Sequence, residues 1–254
     1  MSETSVGRIR PVIEAVTFDF WNTIATVPSG AMSAARERAV AAACAGHDVE
    51  VEADLLLESL ERVGLDWERS WAEGRHLHPH EAAATLVRAL GVEGAACEMV
   101  AEAFLDAGRE VELEFAPGIG PCLEALRERG LRLGIVCDVG FSGGELLREL
   151  LEAEGLLAHF SGWGFSDEVG HYKPAPQIFE AALEALGAQP AQAAHVGDLR
   201  RTDVAGAAAL GMRTVRYRGM NAEGDAEAGA EADFVLAGHD ELPAVIDRLA
   251  RGDA

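Results

Sequence analysis

Lysine is nearly absent from this 254-residue chain: of 21 basic residues all but one are arginine, and Lys173 is the exception. Basic charge as a whole is scarce. The 43 acidic residues give a formal net charge of −22, with no basic stripe, which argues against nucleic acid or an anionic membrane as a partner. Cysteine is sparse as well. Cys44, Cys97, Cys122 and Cys137 include no close pair, so neither a zinc knuckle nor a disulfide framework is expected. No apolar run approaches the length of a bilayer span, and Met1 to Pro11 is polar, without the apolar centre of an export signal. These absences predict a cytoplasmic protein with reduced thiols.

Hydrophobic residues make up 49% of the chain, enough for one large domain or a core with a lesser one. The run Val16-Thr17-Phe18 is short, apolar and β-branched, the pattern of a buried strand. From about Met32 to Val111 that pattern gives way to Ala, Leu, Glu and Arg at helical spacing, broken near Gly46, Gly64, Pro79 and Gly91 to Gly94. Leu55, Leu56, Ser59, Leu60 and Val63 form one apolar stripe and Leu86, Val87 and Leu90 another, so about four packed helices are predicted. From Phe115 onward strand and helix patterns alternate. Strands are predicted at Leu131 to Cys137, Trp163 to Ser166, Ala193 to Gly197, Met212 to Arg216 and Phe234 to Leu236. Helices are predicted at Gly120 to Arg129, Glu145 to Ala153, Ile178 to Leu186, Asp203 to Leu210 and Glu241 to Leu249. The Gly-, Ala- and Glu-rich stretch Met220 to Ala232 reads as a mobile acidic loop. Alternation of this kind specifies an α/β fold, a three-layer Rossmann-like parallel sheet with an inserted all-helical subdomain. The expected division is residues 1–27 with 112–254 for the α/β core and 28–111 for the insertion.

Ligands of an open parallel sheet bind beyond the carboxyl ends of its strands. Asp19 ends the first predicted strand, Cys137 and Asp138 the second, and Asp198 the fourth. The run from His195 to Asp203 sets Asp198 and Asp203 five positions apart, astride a loop that enters a helix. Such oxygens suit a hard cation, which takes one or two protein carboxylates and keeps waters for a substrate phosphate. Gly197 lets the backbone approach. Lys173 lies in the phrase Ser166 to Pro174, and a composition so averse to lysine would fill an ordinary surface position with arginine. A compact ammonium differs from a planar guanidinium fork, so position 173 is read as needing a point charge. Trp67 and Trp71, an i, i+4 pair, fit either packing within the helical block or a surface closing over substrate, with Arg69 or Arg75 available to an anion. His76, His78 and His80 alternate, but Pro79 interrupts them and no metal site is assigned there.

These residues together resemble the haloacid dehalogenase-like hydrolase superfamily. Its first motif matches Asp19 to Thr23, its third Lys173 in the phrase ending Lys-Pro, and its fourth Gly197 to Asp203. The helical insertion resembles the C1-type cap. The resemblance implies that Asp19 is the nucleophile and that Mg²⁺ is held by Asp19, Asp198 and the main-chain carbonyl of Trp21. Asp203 would be a further ligand or a support behind them. Lys173 would neutralise the crowded carboxylates and the phosphate. Trp21, Asn22 and Thr23 would face the substrate, a small phosphorylated molecule.

Two positions depart from the pattern. The family's phosphatases carry a second Asp two residues after the nucleophile, an acid for the leaving group and then a base for water. Here that residue is Trp21, whose indole cannot exchange a proton. The second motif offers a Ser or Thr hydroxyl, often followed by Asn; here the positions hold Cys137 and Asp138, and a thiol is a weak donor. The family's dehalogenases also lack the second Asp and carry an aromatic residue there. A dehalogenase-type attack of Asp19 on carbon is therefore the alternative reading, beside a weakly active or non-catalytic binding protein on the same scaffold. The Gly-Asp-x-x-x-x-Asp spacing resembles the metal-dependent branch, and Mg²⁺-dependent phosphoryl chemistry is the expected activity.

Overall fold

A computed structural model describes residues 13–220 and 229–251. Its first strand, β1 (Ala15–Phe18), is buried along its whole length and sits inside a six-stranded sheet. The other strands are β4 (Arg132–Cys137), β5 (Phe160–Phe165), β6 (Ala193–Gly197), β7 (Arg213–Tyr217) and β8 (Phe234–Leu236), in the spatial order β5-β4-β1-β6-β7-β8. Every neighbouring pair is parallel, and the register sets Phe18 opposite both Ile135 and Val196. The carboxyl ends of β1, β4 and β6 therefore emerge side by side. A strand buried on both faces needs apolar residues on both, which is why these segments read as continuous hydrophobic runs.

Helices cover the two faces. Helices α5 (Ile119–Glu128), α6 (Gly144–Ala153) and α10 (Leu242–Arg251) bury Leu123, Leu126, Leu147, Leu151, Ile246 and Leu249 against one face. On the other, α8 (Pro176–Leu186) and α9 (Ala205–Ala209) bury Ile178, Phe179, Ala182, Leu183 and Ala207. Gly164 makes the close approach of α8 to β5 possible, because a Cβ there would lie 2.0 Å from the Ile178 carbonyl oxygen.

Between a two-stranded antiparallel ribbon, β2 (Ala25–Thr26) with β3 (Glu114–Phe115), runs the helical block. It comprises α1 (Ala31–Gly46), α2 (Ala53–Ala72), α3 (Pro79–Ala89) and α4 (Ala96–Asp106), around a core of its own formed by Val40, Leu56, Val63, Leu86, Val100 and Phe104. The alternating histidines have a local role: His78 Nδ1 accepts the His80 N–H at 3.2 Å while Glu81 accepts that of His78 at 3.4 Å, a capping box that starts α3.

Several sequence expectations shift. Leu55 is exposed rather than part of the buried stripe on α2. Strand β5 begins at Phe160, and Ser166 instead starts a short helix, α7 (Ser166–Val169). The helix expected from Asp203 is preceded by a wide turn at Arg200–Val204, where Asp203 sits in the first turn. The ribbon β2–β3 has too few residues for an alternation pattern and was not predicted. Most of the predicted acidic loop, residues 221–228, lies outside the described residues.

Candidate active site

Asp19 follows β1 directly, its N–H bonded to the Val196 carbonyl at 2.8 Å, which ties it to the neighbouring strand end. Its Oδ1 lies 2.7 Å from Lys173 Nζ and accepts the Phe20 N–H at 2.8 Å. Lys173, delivered by the loop before α8, also reaches Asp203 Oδ1 at 2.7 Å. Asp198 leaves β6, and one oxygen from each of Asp19, Asp198 and Asp203 falls within 4.8 Å of the others. All four side chains are buried. The lone lysine of the chain thus bridges Asp19 and Asp203 at the centre of the sheet's carboxyl edge.

Asp203 is held by four donors. Lys173 Nζ and His195 Nε2, the latter at 3.0 Å, meet Oδ1; the Leu199 N–H at 3.0 Å and the Thr202 hydroxyl at 3.3 Å meet Oδ2. The Asp203 carboxylate can only accept, so Nε2–H donates to it, and in the neutral ring Nδ1, 2.9 Å from the Thr17 hydroxyl, is the acceptor. Burial holds the His195 imidazole below its usual range, against the pull of Asp203, so it stays neutral. Burial would raise Asp203 too, but Lys173 and His195 outweigh it and hold its carboxyl well below the usual range. Asp19 differs. Burial raises its pKa well above the ordinary value, Asp203 and Asp198 add to the rise, and Lys173 only partly opposes them. Burial likewise disfavours the Lys173 ammonium, yet Asp19 and Asp203 hold it charged.

The remaining predicted residues divide. Cys137 is fully buried at the end of β4, and burial together with Asp19 keeps its thiol protonated. Asp138 is engaged at both oxygens, by the Lys173 N–H at 2.9 Å and the Trp71 indole N–H at 2.8 Å. Trp21 and Asp138 line a cleft of about 280 Å³ together with Trp67, Arg36, Phe141 and Ser142. Asn22, at φ +56°, spends its side chain inside the turn, where Oδ1 accepts the Thr26 hydroxyl at 2.8 Å. Thr23 is fully buried, and its carbonyl accepts from His239 Nε2 at 2.7 Å. Arg69 and Arg75 pair with Asp66 and Glu73 at 3.4 and 3.3 Å and line a separate cavity with Ser70 and Leu77. The structure does not bring them to the cleft of Trp21.

The cleft's cation is Arg36 instead, which sequence reasoning missed. A signal existed: Arg36, Val40 and Cys44 recur every fourth residue, so a charge sits on an otherwise buried stripe of α1. His195, Thr17 and Thr202 were also missed, because hydrogen-bonded supports carry no motif of their own.

A buried carboxylate, a lysine and an acidic pair gathered beyond the carboxyl ends of adjacent parallel strands fit a class of hydrolase. Residues 13–211 match the family described as haloacid dehalogenase-like hydrolase, and the chain belongs to that family. It is 35% identical over 142 residues to the glyceraldehyde 3-phosphate phosphatase of Pyrococcus furiosus, covering 55% of this chain and 56% of that one. It is 40% identical over 133 residues to the phosphoserine phosphatase of Thermus thermophilus, covering 52% and 51%. The matches thus span about half the length of these curated relatives. Among solved structures, 2-haloacid dehalogenase from Pseudomonas syringae superposes with a TM-score of 0.67 at 25% identity, over 93% of this chain and 99% of that one. Among the described residues no helix is long and apolar enough to cross a membrane.

Proposed function

We propose that the chain is a Mg²⁺-dependent phosphatase of small phosphorylated metabolites, with Asp19 as nucleophile and residues 28–111 as a C1-type cap. One observation carries this reading. Three buried carboxylates face one ammonium, so with all three ionised the closed site carries two negative charges, the complement of a single divalent cation. The donors are all hard oxygens, as Mg²⁺ requires. Asp19, Asp198 and the Trp21 carbonyl would hold the ion. Asp203, already surrounded by donors, would act as the support that fixes Lys173 and His195. When bound, the ion would offset charge on the phosphoryl oxygens and help ionise Asp19.

In the first step an Asp19 oxygen attacks phosphorus, the bond to the leaving oxygen breaks, and the phosphoryl group rests on Asp19. Water then attacks that phosphorus, the carboxylate departs, and inorganic phosphate is released. Lys173 keeps Asp19 and Asp203 in place through both steps. Cys137, protonated, offers only a weak donor at the end of β4, and Trp21 replaces the acid that would protonate the leaving oxygen. Both phosphatase-named relatives act, by their names, on small phosphate esters, which supports this reading.

Trp21 and the dehalogenase neighbour favour a second reading, attack of Asp19 on a carbon bearing halogen. Rates on p-nitrophenyl phosphate and on 2-chloropropionate, with Mg²⁺ and with chelator, separate the two. The expected result is phosphate release that needs Mg²⁺ and disappears in Asp19→Asn. Metal-independent halide release without phosphatase activity would replace the first reading by the second.

A further inference from the structure

Among the described residues, Arg36 has a setting that neither the fold nor the carboxylate cluster explains. It projects from the second turn of α1 toward the loop after β4, with its guanidinium carbon 5.0 Å from the Phe141 ring centre and 5.5 Å from that of Phe104. Its only side-chain hydrogen bond among the described residues is a long one, 3.4 Å from Nη2 to the Ser142 hydroxyl. Nε is buried without a partner, and among the described residues no carboxylate forms an ion pair with Arg36. In a chain of net charge −22, a half-buried cation that pairs with no carboxylate among the described residues is a cost that the folded protein does not recover internally. Burial accordingly pulls its pKa down to about 10. The guanidinium stands where two cavities meet, the cleft of about 280 Å³ beside Trp21 and Asp138 and a larger one of about 590 Å³ between α1 and α2.

We infer that Arg36 is the receptor for a carboxylate on the substrate, which makes the substrate class short phosphorylated hydroxy acids. The chemistry of the cleft selects a carboxylate. The Nη edge of the guanidinium, which makes only the long bond to Ser142, matches a planar two-oxygen acceptor, and the Ser142 hydroxyl beside it has a proton of its own to donate. Aromatic rings on the guanidinium faces exclude water and strengthen the pairing. The cleft that Arg36 shares with Trp21 and Asp138 is smaller than the usual drug-sized pocket, so the arm of the substrate that carries the carboxylate is short. Asp138, also in this cleft, does not compete for Arg36, since Trp71 and the Lys173 N–H already occupy its oxygens. Glu68, at the rim of both cavities, is exposed and makes no ion pair with Arg36.

This inference rests on the phosphatase reading for one end of the substrate only, and two measurements keep the two apart. The first compares kcat/KM for phosphorylated 3-hydroxypropionate and for propyl phosphate, which differ in one carboxylate. The wild type should prefer the acid, and Arg36→Gln should cut that preference roughly 10–100-fold, mainly through KM. Arg36→Lys should restore part of it. The second is calorimetric titration with two inert probes, sulfopropionate and propanesulfonate. Wild type should bind the carboxylate probe more tightly, and Arg36→Gln should bind both alike. No turnover of either ester with the probe preference intact would overturn the phosphatase reading and uphold Arg36. Equal affinity for both probes in the wild type, or an unchanged preference in a folded Arg36→Gln, overturns the carboxylate receptor. Should Arg36→Gln fail to fold, Arg36→Met with an unchanged preference has the same force, because the apolar stem stays while the charge and the donors are lost.

Discussion

Lys173 shows how one side chain governs three others. Lys173→Met removes the sole ammonium from between Asp19 and Asp203 and leaves Asp198 beside them. Removing one partner of a buried pair typically costs about 3–5 kcal/mol. The cost should depend on pH, and the direction follows from Asp19. Its folded pKa is already raised, by burial first, and loss of Lys173 raises it further. A carboxyl whose folded pKa exceeds its unfolded one binds its proton more tightly when folded, so stability falls as pH rises through that range. Lys173→Met measured without metal should therefore lose more of its urea midpoint at pH 8 than at pH 5.5; an equal loss at both would show that Asp19 does not take up the proton. Trp21 supports a second test at this scale. A positioned acid–base group contributes about 10²–10⁴-fold, and the indole cannot supply one. Trp21→Asp should raise kcat/KM on alkyl phosphates more than on aryl phosphates, whose leaving groups need little help. An unchanged ratio in a folded variant means that the proton takes another route.

Each strand end contributes by its backbone as well as by its side chains. A Cβ on Gly197 would lie 2.3 Å from Asp203 Cγ and 2.5 Å from its Cβ, and Asp203 cannot retreat without leaving its four donors. Gly197→Ala should destabilise by about 1–3 kcal/mol, the usual cost of overpacking. It should also weaken Mg²⁺ binding at least tenfold by calorimetry, on the proposal that the ion sits beside Asp203. A destabilised variant with unaltered Mg²⁺ affinity would confine Asp203 to a structural role. That glycine was legible in the sequence, as were Asp19, Lys173, Asp198 and Asp203, because their backbone positions are set by strand ends and their spacing along the chain is fixed. The long helices and β6 were legible for a related reason: periodicity over ten or more residues, or a run bounded by turn residues, is a local signal. Contacts between elements were not. Nothing near Trp71 or Asp138 announces that they meet across 67 positions, and Arg36 was passed over because arginine on a helix usually faces water. Arg69 and Arg75 drew attention only as neighbours of a tryptophan pair, yet side chains point where the fold sends them, here to another cavity.

The helical block and the sheet are joined at the site itself. Trp71 of α2 donates its indole N–H to Asp138 Oδ2 at 2.8 Å, lies parallel to Trp67 at 5.9 Å, and carries the Arg201 guanidinium 4.0 Å above its ring centre. Asp138 follows β4 and Arg201 follows β6, so one tryptophan spans from the block to two strand ends. Asp138 in turn fixes the Lys173 N–H, and a shift of α2 would reach the lysine that holds Asp19. Trp71→Phe keeps an aromatic ring for Trp67 and Arg201 but removes the donor. A hydrogen bond to a charged group contributes roughly 1.5–3 kcal/mol, so melting should fall accordingly. If the block is a cap that closes over substrate, KM should rise by about tenfold while kcat changes less, since the bond positions the cleft and does not touch the reacting atoms. Asp138→Asn supplies the control. It turns one oxygen into a donor, and with Lys173 N–H and the indole both donating, one of the two bonds must break. The double variant, Trp71→Phe with Asp138→Asn, should then be hardly worse than the worse single one, in both melting and KM, because each change breaks the same link. Strict additivity would mean that the indole and the carboxylate act independently, and that the block is coupled to the site through Arg201 or the surrounding aromatic packing instead.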